Sequence, residues 1–172
     1  MRGSKLWSAC SGDSRAVMGS FQRERGWLAK DLSVDCKPDL PEEKERIVRA
    51  GGVVSPASMG RPSRVWANGR IGLAMSRSLG DGECKRFGVI AEPRIEEFEV
   101  KPAEGEGETE GDHFLVVASD GVWEFIESQE AVEIVAEYNQ AKQVSPYIKT
   151  SPIYPLPHKS THSAPLQHLS PA

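Results

Sequence analysis

The sequence predicts an α+β domain, and three observations carry that expectation. An apolar run, Phe114-Leu115-Val116-Val117-Ala118, has the length and β-rich composition of a buried strand. Residues 95–100 alternate Ile, Phe and Val with Glu, the period of a strand with one face wet. Residues 42–50 and 128–138 carry helical signals instead, with capping residues and charges suited to the helix ends.

The elements follow in order. Lys5–Cys10 reads as a strand, Ser11-Gly12-Asp13 as a turn, and residues 14–18 as the partner strand of a hairpin. A further strand lies within residues 27–34, and Pro38-Asp39-Leu40-Pro41 ends it. The helix over 42–50 has Glu42 and Glu43 near its start, Arg46 and Arg49 near its end, and Gly51-Gly52 as terminator. That charge order suits the helix dipole, and the glycines suit a left-handed cap. Ile47 and Val48 are its expected apolar contacts.

Residues 53–78 mix Gly, Pro, Ser and Arg without a clear period, which predicts a long structured loop with short strands near Val53-Val54 and Arg64-Val65. Long loops within domains are frequently functional. Residues 103–112 form an acidic, Gly-rich solvated insertion. Ser128 reads as the N-cap of the last helix, with Ala131, Val132, Ile134 and Val135 on its buried side.

The chain of 172 residues has room for one domain with a real core, and its 16 Gly and 12 Pro point to much loop or tail. We expect a domain over residues 1–140 and a disordered tail rich in Pro, Ser and His over residues 141–172, where no hydrophobic period survives. In that tail, Pro152-Ile153-Tyr154-Pro155 has PxxP spacing, which such tails produce by chance. His158 and His162 have the spacing of a metal pair without helix context or a carboxylate partner.

A net charge of −4 and the lack of any long Lys/Arg cluster argue against a nucleic-acid partner. Three widely spaced cysteines fit neither a disulfide framework nor a zinc site, so a reducing compartment is expected. No apolar stretch approaches the roughly 20 residues of a membrane span, and the N-terminus lacks the apolar region of a signal peptide. The expectation is an intracellular protein, cytoplasmic or nuclear, with no membrane partner. Oligomeric state leaves no mark in the sequence.

The strand at 114–118 empties into Ser119-Asp120-Gly121-Val122-Trp123. An Asp-Gly turn after a buried strand sets one carboxylate at the strand's mouth, where metal and phosphate chemistry is commonly built. Glu124 follows four residues later, so a helical turn after Gly121 points both acids the same way, as a shared cation needs. An ordinary Asp-Gly turn is the alternative on these residues alone.

Several blocks in fixed order narrow the reading. They are Lys5-Leu6-Trp7-Ser8-Ala9-Cys10-Ser11-Gly12-Asp13-Ser14-Arg15-Ala16-Val17, Leu32-Ser33-Val34-Asp35-Cys36-Lys37-Pro38, and Glu45-Arg46-Ile47 with Ala50-Gly51-Gly52. Leu73-Ala74-Met75-Ser76-Arg77-Ser78-Leu79-Gly80-Asp81, Ala91-Glu92-Pro93 and Ala118-Ser119-Asp120-Gly121-Val122-Trp123-Glu124 follow. Over residues 5–138 the chain resembles the metal-dependent type 2C (PPM) protein serine/threonine phosphatases.

That resemblance implies a β-sandwich flanked by helices, of which this chain covers the second half. It implies Mg²⁺ or Mn²⁺ as cofactor and phosphoserine and phosphothreonine proteins as substrates. Two such ions about 3.5–4 Å apart would activate a water and neutralise the phosphoryl oxygens. By the same resemblance Asp120 is a metal ligand of the main site, and Asp13 and Glu124 join it in an additional, weaker position. Arg77 and Asp81 are expected to be structural, as an internal ion pair or turn.

Relatives also carry an upstream Asp-Gly-His-Gly segment, an earlier phosphate-binding Arg and a downstream Asp-Asn segment, and this sequence has none of them. A two-metal site short of most ligands loses its bound water and its phosphate clamp. The chain by itself is therefore expected to have little or no activity. A non-catalytic phosphatase-like binding or regulatory module is the alternative.

Overall fold

Val17 and Met18 are neighbours on one strand and both are buried, which fixes the layering of the domain. Successive strand residues point to opposite faces, so both faces of that strand must be covered. The computed structural model describes residues 4–104 and 108–144, and among them the central strand is β2 (Arg15–Gln22). It pairs antiparallel with β3 (Gly26–Asp31) on one side and β8 (Gly111–Ala118) on the other. Where β2 meets β8, Gly19 lies under the ring of Phe114, and a Cβ there would come within 2.4 Å of it.

A second sheet faces this one. It consists of β1 (Lys5–Cys10) and β7 (Arg94–Glu99), also antiparallel. Leu6 of β1 and Phe98 of β7 pack with Ala16 and Met18 of β2 around Leu32 and Val100. On the opposite face of β2 lies α4 (Ser128–Val144), which buries Ala131, Val132 and Ala136. Gln129 of α4 is stitched to β3, accepting from the Ala29 amide and donating to the Trp27 carbonyl.

A third sheet has its own core. Strands β4 (Val53–Ser55), β5 (Arg64–Ala67) and β6 (Ile71–Leu73) pair in that order. Helix α1 (Pro41–Arg49) and the short α2 (Gly82–Lys85) cover them, with Ile47, Val65, Ala67, Cys84 and Val89 buried between. Gly51, at φ +81°, ends α1 in the left-handed conformation expected of its cap. One further single turn, α3 (Asp120–Trp123), follows β8.

The α+β class that the sequence predicts and the antiparallel sandwich with flanking helices that the resemblance implies are both found. Other expectations need correction. Residues 5–10 and 14–18 do not form a hairpin, because β1 pairs with β7 while β2 pairs with β3 and β8. The link between them is tied to the segment after β3 instead: the Cys36 amide donates to the Gly12 carbonyl, and Lys37 holds Asp13. The chain therefore crosses between sheets at Ser11–Ser14.

Residues 53–78 hold three strands, and the one not anticipated, β6, follows an Asn68-Gly69 turn with φ of +52° and +64°. Asn-Gly with both central residues at positive φ is a strong hairpin signal. Val48 is 54% exposed and Ile134 52%, so Ile47 alone supplies the buried contact of its pair, and Ala136 lies where Ile134 was expected. The Ser128 hydroxyl is committed to Asp31 and Arg15. The acidic insertion gives way to β8 at Gly111. Helix α4 runs to Val144, past the expected end near residue 138, so residues 141–144 continue the helix and do not begin the tail. The rest of the expected tail, with its PxxP and histidine pair, lies outside the described residues.

Candidate metal and phosphate site

The end of β8 builds the site from local geometry. Ser119 remains extended at φ −78° and ψ 172°, and Asp120 then opens α3. The Glu124 amide donates to the Asp120 carbonyl at 2.8 Å, closing one helical turn, so residues 120 and 124 stand one above the other. Trp123 locks the turn to the strand by donating its indole N–H to the Ala118 carbonyl at 2.8 Å.

Asp120 and Glu124 border an open cleft of about 650 Å³ together with Arg15, Asp35, Lys37 and Arg61. Three cations and three carboxylates thus meet at one surface. Arg15, the first residue of β2, is clamped: its Nε and Nη2 donate to the two Asp35 oxygens at 3.0 and 2.8 Å, and its Nη1 donates to Ser128 at 3.1 Å. Its guanidinium also lies 5.3 Å from the centre of the Trp123 ring. Asp35 beside it raises the proton affinity of Arg15, as a paired carboxylate does. Arg15 is therefore a fixed charge, oriented by a fork that suits phosphate as well as carboxylate.

Asp13 has a different setting. Its carboxylate accepts from Lys37 Nζ at 2.8 Å and is largely buried. Lys37 borders the cleft, whereas Asp13 stands behind it. Of the three residues singled out as metal ligands, Asp120 and Glu124 are brought to the same cleft and Asp13 reaches it through Lys37. Among the described residues no group of three or more His, Cys, Asp or Glu side chains is gathered closely enough to hold a metal ion.

Beneath the cleft is a network the sequence did not disclose. Glu43 of α1 is fully buried and accepts from Arg46 at 2.6 Å and from Arg77 at 2.6 and 3.0 Å. Burial pushes its carboxyl up, but the hydrogen bonds from Arg46 and Arg77 outweigh that and bring it to about 2. Arg77 is structural as expected, although its partner is Glu43. Asp81, at φ +51°, forms the turn into α2. Ser76 joins this network to the cleft, since its amide and hydroxyl both donate to the carbonyl of Cys36, between Asp35 and Lys37. Glu43 and Arg46 at i,i+3 on α1 were the visible half of the signal. The arrival of Arg77, 34 residues on, was not.

Comparison with known proteins places this architecture. The sequence matches the family described as protein phosphatase 2C over residues 1–151. It is 43% identical over 139 residues to "Probable protein phosphatase 2C 1" of Arabidopsis thaliana, covering 78% of this chain and 28% of that one. It is 43% identical, over 78% of this chain and 30% of the other, to "Probable protein phosphatase 2C 64" of Oryza sativa subsp. japonica. Among solved structures, the serine-threonine phosphatase 2C of Toxoplasma gondii superposes with a TM-score of 0.68 at 27% identity, over 81% of this chain and 45% of that one. The chain belongs to the protein phosphatase 2C family. It spans about a third of the length of the curated relatives it matches.

Proposed function

We propose that the polypeptide to which this segment belongs is a Mg²⁺- or Mn²⁺-dependent protein serine/threonine phosphatase acting on phosphoserine and phosphothreonine, and that Asp120, Asp13 and Glu124 are this segment's share of its metal ligands. The observation that carries the reading is Asp120 at the mouth of β8, on a cleft it shares with Arg15, Lys37 and Arg61, in a chain of the protein phosphatase 2C family. Carboxylate oxygens are what hard divalent cations take, and clustered cations attract a phosphate dianion.

The donor set by itself does not fit a two-cation centre. Two carboxylates at the cleft and a third turned to Lys37 fall short of the ligands that such ions require. What these residues supply is positioning: Asp35 and Ser128 hold the Arg15 fork beside Asp120, and Lys37 ties Asp13 to the cleft wall. For the segment on its own, the incomplete set favours a non-catalytic phosphatase-like binding module. No helix among the described residues is long and apolar enough to cross a membrane. Three free thiols suit a reducing compartment, cytoplasm or nucleus.

The test is hydrolysis of a phosphothreonine peptide, with and without millimolar Mn²⁺, by this chain and by a longer polypeptide that adds an upstream Asp-Gly-His-Gly segment. The expected result is no turnover by the chain and Mn²⁺-dependent turnover by the longer form, abolished by Asp120→Ala. A silent longer form would refute the phosphatase reading. Full activity in Asp120→Ala would refute the metal assignment, and turnover by the short chain would refute the incompleteness of its donor set.

A further inference from the structure

Cys10 and Cys36 are 26 residues apart in sequence, yet the fold brings them to one carbonyl. The Cys10 thiol donates to the Gly12 carbonyl at 3.5 Å, and the Cys36 amide donates to that same oxygen at 2.8 Å. The Cys36 thiol in turn lies 3.8 Å from the Cys10 carbonyl. The two side chains therefore occupy one small volume between the end of β1 and the segment after β3. Each thiol is the largest influence on the other's proton affinity, Cys36 being lowered and Cys10 raised. A thiol that loses its proton more readily offers more of the thiolate, the form that attacks an oxidant.

Access is one-sided. Cys36 is 1% exposed, while Cys10 is 8% exposed and borders a pocket of about 160 Å³ with Ser8, Ser14, Ser33 and Val117. The third cysteine, Cys84, is 2% exposed and sits in the separate core of Ile47 and Val65. Burial raises its thiol and leaves it unreactive.

We propose that Cys10 and Cys36 are a dithiol modification site that hydrogen peroxide converts to an intramolecular disulfide. One thiolate attacks a peroxide oxygen, the O–O bond breaks, and a sulfenic acid and hydroxide form. The second sulfur then displaces the sulfenic oxygen, forming the S–S bond and releasing water. In sum, two thiols and one hydrogen peroxide give one disulfide and two waters. A small-molecule dithiol reverses the step by exchange. The bond would staple β1 to the segment that carries Asp35 and Lys37, so oxidation reaches the cleft without touching its polar groups.

The test needs no enzymatic activity. The full chain is treated with hydrogen peroxide, remaining thiols are alkylated, and digests are mapped by mass spectrometry. The native chain is expected to lose two of its three thiols as a single Cys10–Cys36 cross-link, restored by dithiothreitol. Cys84→Ser should behave the same way, and Cys10→Ser and Cys36→Ser should form no intramolecular bond. The chain oxidised in urea is the control, and it should give a mixture of the three possible pairings. Three intact thiols in the native chain, sulfinic acid at Cys10 or Cys36 without a cross-link, or the mixture seen in urea would each overturn the proposal.

Discussion

Replacing Glu43 by Gln keeps the side-chain volume and removes one charge, which isolates what the buried carboxylate does for this fold. Glu43 has 1% of its side chain exposed, between Arg46 at 25% and Arg77 at 15%. Gln leaves two guanidiniums facing each other with no countercharge, and removing one partner of a buried pair costs about 3–5 kcal/mol. A second route gives a similar size. The carboxyl titrates at about 2 where an ordinary glutamate has 4.5. That difference is worth about 3 kcal/mol at 1.36 kcal/mol per pH unit.

A carboxyl whose folded value is depressed stabilises the protein fully above its unfolded value and loses that contribution as pH falls through the folded value. The window for Glu43 therefore runs from about pH 4.5 down to about 2. Urea denaturation followed by tryptophan fluorescence should find Glu43→Gln about 3 kcal/mol less stable than the wild type at pH 7, or about 6–12 °C lower in Tm. By pH 3 the gap should have shrunk to about 1 kcal/mol. A gap below about 1 kcal/mol at pH 7, or one of the same size at both pH values, would refute the reasoning.

Two further predictions address packing. Ile47→Ala should cost about 2–5 kcal/mol in urea denaturation and Val48→Ala less than about 0.5, because Ile47 is buried and its neighbour is 54% exposed. Equal effects would contradict the helix orientation. Gly88 stands at φ +88°, and a Cβ there would clash with the Ile47 Cα at 2.7 Å, so Gly88→Ala should lose about 2–4 kcal/mol. Gly26→Ala, at φ +74° in open space, should lose only about 1 kcal/mol by the same assay.

Local signals in the sequence carried over well where one residue and its near neighbours decide the outcome. The end of α1 at Gly51 and the helical turn that stacks Asp120 and Glu124 are of this kind. The strand over 114–118 is found where expected, although as an outer strand of its sheet, with Leu115 46% and Val117 72% exposed, it is not the buried strand that its apolar run suggests. What escaped depends on partners distant in sequence. The turn at 11–13 looked like a hairpin because nothing local shows that β1's ladder lies with Arg94–Glu99. Glu43 looked like a dipole-complementing acid at a helix start, and only the arrival of Arg77 makes it a buried ion-pair centre. The Asn68-Gly69 turn was legible and missed, since three short strands broken by Gly and Pro show no period. For the candidate site, the placing of Asp120 and Glu124 on one helical turn at one cleft was readable from spacing. The clamping of Arg15 by Asp35 and of Asp13 by Lys37 joins segments about 20 residues apart and was not.

The positioning network and the proposed ligand set of this segment differ in completeness. Arg15 finds Asp35 and Ser128, Lys37 finds Asp13, and Arg77 finds Glu43, all within the described residues. These pairs hold the cleft wall by contacts that need no cation, and the Ser76–Cys36 bonds connect the wall to the buried Glu43 centre. Among the described residues, the carboxylates that face outward are too few to close on a metal ion. A wall whose charges are already paired contributes little affinity for a cation, but it holds the Arg15 fork in place beforehand. The cost of ordering those side chains is then met in folding and not at binding, which is what pre-organisation of a charged site requires.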